Sequence, residues 1–358
     1  MKDYNITILL TIYNRIDYTK KWLDFAEKQK IPFKILISDG GNVKNVKKKL
    51  ELNKRKLDIK YKKYKYYKNF KKIYEKYFFA IQNVKTDYLI ICEDDDYLSV
   101  DGFIKSARFL SKNKNFSCAK GMNLLGDLVP SKSFFSYYVL RKQNNSCDDF
   151  SILNNSPADR LVNFYKYQNL TFYNGLQRTA VIKKIFQILN KDFFNLWITE
   201  LIFNLYLVYK GKIKRFNYID YIKMDNTQLS SSYNFGKFRK FSKIIKTSRY
   251  NFENNLVLKY LKFKKKFDII SALHNNFIIK NENARLLEEK KQSNLLVILL
   301  NYFREFLQIL GIKHILKYFL YNFRCKSISR AIYIKDKNVF FSENDKLLLK
   351  KIYEFNSK

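Results

Sequence analysis

"LIICEDDDYLSVDGF", residues 89–103, sets an apolar run, Leu89 to Cys92, directly before four consecutive carboxylates, Glu93, Asp94, Asp95 and Asp96. The apolar half has the length and β-branched content of a buried strand. Four adjacent acids at the end of such a strand repel one another and lose hydration where they meet the core. They stand in a chain of 358 residues with a formal net charge of +37, where acids are scarce. The arrangement predicts a positive partner at this point, and hard carboxylate oxygens suit Mg2+ or Mn2+.

Working outward, the flanking segments alternate between strand and helix. "ITILLTIY" (6–13) and "FKILISDG" (33–40) read as parallel strands, the second ended by Gly40 and Gly41. Between them Asp17 is placed to cap a helix carrying Trp22, Leu23, Phe25 and Ala26, the crossover that a parallel pair requires. "LDIKYKKY" (57–64) supplies a third strand, a helix spans about 70–84, and the acidic strand follows. Strand and helix in alternation predict an open, mostly parallel α/β sheet flanked by helices and wound in the nucleotide-binding manner. Such sheets gather ligands at the carboxyl ends of their strands. The clusters Thr11–Arg15, Asp39–Gly41 and Glu93–Asp96 all fall there, so they are expected to share one crevice.

Composition narrows the function. With 47% apolar residues the chain can bury a large core. Its charge favours anionic partners. Four widely spaced cysteines and two histidines argue against a disulfide framework or a structural zinc site. Neither a GxGxxG nor a GxxxxGK[ST] loop is present, which disfavours dinucleotide oxidoreductases and P-loop nucleotidases. The first residues lead straight into a strand pattern and the longest aliphatic block, residues 295–300, is too short to cross a bilayer. A cytoplasmic protein, peripheral at most to the inner face of the membrane, is expected.

In order and spacing, "ILLTIYNR", "ILISDGG" and "NVKTDYLIICEDDDYLSVDGF" resemble the start of a family 2 glycosyltransferase with the GT-A fold. The likeness covers residues 4–125 and continues more weakly through "YNGLQRTAVIKKIF" (173–186) and "WITELIFNLYLVYKGKIKRFN" (197–217). It implies a GT-A domain over residues 1–228 and a metal-dependent, inverting transfer of sugar from a nucleoside diphosphate sugar to a glycan or lipid-linked acceptor in bacterial surface polysaccharide synthesis. It further implies that Thr11, Tyr13 and Arg15 line the nucleotide pocket and that Asp39 accepts a hydrogen bond from the base. Asp94, Asp95 and Asp96 match the D-x-D region, with Asp94 and Asp96 as metal ligands; the register Glu93-x-Asp95 also fits. Ser38 and Gly41 depart from the family's usual acid and serine. The general base falls at Glu200, with Asp159 and Asp192 in reserve. Arg178 is a candidate for holding the diphosphate through a charge-assisted fork.

Residues outside this pattern receive plainer readings. The interleaved lysines and tyrosines of residues 44–77 can bind single-stranded nucleic acid, but solvated lysines over core-facing tyrosines give the same composition, and no nucleic-acid partner is expected. A sugar nucleotidyltransferase is the alternative enzyme, although "TIYNR" stands where that class carries glycines. From residue 229 onward the pattern becomes a basic helical extension. Its stretch 294–324 has apolar residues at helical spacing beside Arg304, Lys313, Lys317 and Arg324, a pattern that fits packing against the catalytic domain or a second copy and equally suits an anionic membrane surface.

Overall fold

The computed structural model describes residues 5–65, 70–129, 137–142, 150–166, 172–193, 195–224, 245–261, 266–292, and, discontinuously, parts of 299–356. It divides into two compact units, each assembled from separate stretches of chain. The first comprises residues 1–123, 144–222 and 252–271, and the second residues 124–143, 223–251 and 272–358. The domain boundary expected after residue 228, and most of the stretch 294–324, lie outside the described residues.

The first unit is built on β1 (Ile6–Ile12), β2 (Lys34–Asp39), β3 (Ile59–Lys63) and β4 (Tyr88–Glu93), joined by α1 (Ile16–Lys28), a short α2 (Val46–Lys49) and α3 (Phe70–Gln82). These strands lie in the order β4-β1-β2-β3 and all pair in parallel, as the alternating pattern predicts. β1 and β4 are buried through their centres, Ile8, Leu9, Leu10, Leu89, Ile90 and Ile91 being fully enclosed, as strands covered on both faces must be. Helix α1 turns Trp22, Leu23 and Ala26 onto this core. Asp17 is not its cap. Arg15 holds that position, and Asp17 lies in the first turn, where a carboxylate complements the helix dipole.

Beyond β4 the sheet becomes antiparallel. β5 (Tyr97–Leu98) and α4 (Val100–Lys112) lead into β6 (Phe116–Val129), and β8 (Leu176–Arg178) fits between β4 and β6. Ser99 starts α4 by accepting the Gly102 amide on its hydroxyl. Helices α5 (Pro157–Lys166), α6 (Thr179–Asp192) and α7 (Leu196–Lys210) follow, and β9 (Lys212–Met224) pairs with β5 and β6. In the second unit β7 (Tyr137–Lys142) pairs with Leu124–Val129 of β6. The C-terminal region is not wholly helical. Besides α8 (Ser248–Leu261), α9 (Phe267–Gln292) and α10 (Glu343–Asn356), it contributes β10 (Lys326–Ser329) and β11 (Ile332–Ile334), the latter parallel to β7. No helix among the described residues is long and apolar enough to cross a membrane.

Candidate active site at the carboxyl edge of the sheet

Register brings the three polar clusters together. Thr11 lies opposite both Ser38 of β2 and Glu93 of β4, and Ile12 lies opposite Asp39. The chain then leaves β1 through Asn14, whose left-handed φ of 58° suits its short polar side chain. Asn14 Oδ1 accepts the amide of Asn42 at 2.7 Å. A Cβ on Gly41 would sit 2.3 Å from that oxygen and 2.7 Å from the Asn14 amide nitrogen, so this turn requires glycine.

Arg15 is buried and bridges the acidic turn, with Nη1 3.4 Å from Asp94 Oδ1 and Nη2 2.8 Å from Asp95 Oδ2. Its guanidinium lies 4.3 Å from the centre of the Tyr18 ring. Burial lowers its pKa, but the attraction of Asp94, Asp95 and Glu93 together more than offsets this and raises it. Thr19, one turn further along α1, donates to Asp94 Oδ2 at 3.0 Å. Burial pushes Asp94 up to about 7 even with Arg15 opposing that rise.

The carboxylates that converge are Glu93, Asp95 and Asp96, each with an oxygen within 4.8 Å of the others. Asp94 faces Thr19 and Arg15 instead. The alternation of β4 ends at Glu93 and the chain turns there, so the D-x-D spacing no longer assigns faces. Asp96 accepts the Tyr221 hydroxyl of β9 at 2.5 Å. Three clustered carboxylates, two of them buried, form a donor set that matches a hard divalent cation.

Asp39 closes the other side. Its oxygens accept from the Gly41 amide at 2.8 Å, the Tyr61 hydroxyl at 2.6 Å and Lys63 Nζ at 2.8 Å. Thr11 Oγ1 lies 3.1 Å from the Tyr77 hydroxyl of α3.

One residue escaped the sequence reading. Lys76 belongs to the stretch read as solvated lysine over buried tyrosine, yet it is only 3% exposed. Its Nζ lies 3.4 Å from both the Ile12 and Ser38 carbonyls, between the ends of β1 and β2. Burial lowers its pKa to about 7, although Asp39, Asp94 and Glu93 pull the other way. The available signal was its position four residues before Ala80, inside the face that Tyr74, Tyr77, Ala80 and Ile81 bury.

The predicted acids of the second half separate. Glu200 is exposed near the start of α7, next to Thr199, whose hydroxyl is bonded to Tyr74 of α3. Its polar neighbours on α7 are enclosed. Thr199 and Asn204 are buried, and Asn204 accepts the Phe172 amide and donates to the Glu200 carbonyl. Asp159 is ion-paired with Lys266. Its neighbour Arg160 binds the Val208 and Tyr209 carbonyls at the far end of α7, roughly 12–14 Å along the helix from Glu200. Asp192, at the end of α6, accepts from Tyr260.

Arg178 stands apart from the acidic edge. It pairs with Tyr88 at the amino end of β4, roughly 16 Å of strand from Glu93. Its guanidinium donates to the carbonyls of Phe116, Leu110 and Asn113, closing the end of α4. This is a structural use of the side chain, in place of the expected diphosphate contact.

No protein-family model matches the chain, and no curated protein matches it. Among solved structures it is similar to residues 1–349 of TarS from S. aureus in complex with UDP-GlcNAc, at 13% identity over 76% of this chain and 71% of that one, with a TM-score of 0.51. A second crystal structure of TarS 1–349 is matched at 13% identity over 79% of this chain and 88% of that one, with a TM-score of 0.46. The fold is GT-A-like: a mixed α/β sheet, mostly parallel at its centre and flanked by helices.

Proposed function

We propose that the chain is a glycosyltransferase that takes sugar from a nucleoside diphosphate sugar, with the donor seated at the carboxyl edge of β1, β2 and β4. The observation carrying this is the junction of Arg15, Asp39, Lys76 and the Glu93–Asp96 turn at the edge where open parallel sheets bind nucleotides. A solved structure of similar fold holds UDP-GlcNAc, which supports a nucleotide-sugar donor here.

In this reading Asp39, fixed by Tyr61 and Lys63, accepts an N–H of the base. Lys76 supplies positive charge to the diphosphate. Glu93, Asp95 and Asp96 hold Mg2+ or Mn2+, with Tyr221 orienting Asp96 and Arg15 fixing the acidic turn. When bound, the ion would neutralise charge on the departing diphosphate. Glu200 takes the proton of the acceptor hydroxyl as its oxygen bonds to the sugar's anomeric carbon, and the bond to the diphosphate breaks with its electron pair leaving on the nucleotide. Attack opposite the leaving group inverts the anomeric centre. The acceptor is a glycan or lipid-linked hydroxyl compound of a bacterial surface polymer, met at the inner face of the membrane.

The test is a thermal-shift series with nucleoside diphosphates and their sugars, with and without Mn2+. A rise in Tm with one nucleotide that requires the metal is expected. Equal shifts with and without metal would remove the ion from the donor site, and no shift with any nucleotide would refute the donor assignment.

A further inference from the structure

A cavity of about 510 Å³ opens at the other end of the sheet, lined by Lys85, Thr86, Asp87, Lys114, Thr179 and Lys183 together with Val84, Tyr88, Arg178 and Ala180. It belongs entirely to the first unit and lies at the amino end of β4, roughly 16 Å of strand from the acidic turn. Four cationic side chains line it against one acid, Asp87. Lys85, Lys114 and Lys183 make no ion pair among the described residues.

Helix α6 begins in this cavity. Its Thr179 amide is bonded to the Asp87 carbonyl, and its cap residue Arg178 gives it no side-chain acceptor, so the next amides, of Ala180 and Val181, lack intrahelical partners. The Thr179 hydroxyl is buried, the residue being 5% exposed, and makes no hydrogen bond. A buried hydroxyl normally finds a partner, and this one belongs to a residue that lines a cationic pocket at the positive end of a 14-residue helix.

We propose that this pocket is a binding site for a phosphate group, separate from the donor site. The Thr179 hydroxyl and the first-turn amides of α6 would donate to its oxygens, and Lys85, Lys114 and Lys183 would neutralise its charge. The chemistry fits a terminal phosphate best, since three ammonium groups suit a dianion. A phosphodiester within a longer polyanion offers the same oxygens with less charge. The inference stands independently of the sugar-transfer reading, because none of these residues serves the acidic edge.

The experiment is calorimetric titration of the full chain with inorganic phosphate and, separately, dimethyl phosphate, with chloride holding ionic strength constant. Saturable phosphate binding is expected, weakened tenfold or more by Thr179→Val and by Lys114→Glu. Lys114 is exposed, so the second variant tests the site even if the first disturbs folding. Lys60→Glu, an equal change of charge on an exposed residue of β3 outside this pocket, should bind phosphate as the wild type does. Dimethyl phosphate bound as tightly, with the same sensitivity to the two variants, would keep the site and name a phosphodiester as its source. No saturable binding of either ligand, or binding lost in Lys60→Glu but kept in Thr179→Val and Lys114→Glu, overturns the proposal.

Discussion

Replacing Lys76 by methionine should stabilise the protein at neutral pH while weakening its grip on a nucleoside diphosphate. The fully enclosed ammonium has its pKa lowered from 10.5 to about 7. At about 1.36 kcal/mol per pKa unit, keeping the charged form in the fold costs on the order of 5 kcal/mol. Between pH 7 and 10.5 the unfolded chain holds the proton that the folded chain has released. The unfolded state therefore binds more protons, and this lysine's contribution makes stability rise with pH across that window. Methionine has nearly the same length and no charge, so the variant should lack this rise. Urea denaturation followed by circular dichroism at pH 6.5, 8 and 9.5 measures it, and the difference between the two proteins cancels the tyrosines and cysteines that titrate nearby. The gap, with the variant more stable, should be widest at pH 6.5 and shrink by several kcal/mol at pH 9.5. Parallel stability curves would refute the burial argument. Nucleotide affinity should fall in the same variant, because an incoming diphosphate favours the protonated lysine.

Other perturbations separate the remaining roles. Asp96→Asn should abolish the metal-dependent part of the nucleotide thermal shift, whereas Tyr221→Phe, which removes only a donor to Asp96, should weaken it by a smaller factor. Glu200→Gln should leave nucleotide affinity within about twofold and lower turnover by roughly 10²–10⁴, measured as sugar transfer or donor hydrolysis; unchanged turnover would remove Glu200 from the role of base. Arg178→Met should cost about 2–4 kcal/mol in denaturant unfolding by removing three charge-assisted hydrogen bonds to the Leu110, Asn113 and Phe116 carbonyls, with nucleotide affinity unchanged.

The parallel centre of the sheet was legible because short apolar runs alternate with helical ones, and because Gly40 and Gly41 mark the end of β2. The acidic cluster was legible as a point that draws positive charge, and Arg15 supplies part of that charge. Their division of labour was not. A strand's alternation assigns side chains to faces only while the strand continues, and the chain turns after Glu93, sending Asp94 to Thr19 and Arg15. Lys76 was hidden for a related reason: one buried lysine among many solvated ones has no distinguishing composition, only a place on the helix face. Arg178 misled because an arginine near a turn looks the same whether it awaits a phosphate or closes a helix. That decision rests on carbonyls more than sixty residues away in sequence.

The bond between Tyr221 and Asp96 spans 125 residues of sequence, and the Ser99 amide likewise depends on the carbonyl of Asp220. During synthesis the four parallel strands can associate as soon as they emerge, since each neighbour is made within some tens of residues of the next. The nascent chain would then carry its clustered acids without the strand that steadies them until the ribosome has moved well past residue 222. Ligand competence thus arrives late in translation, after the sheet that displays it has already taken shape.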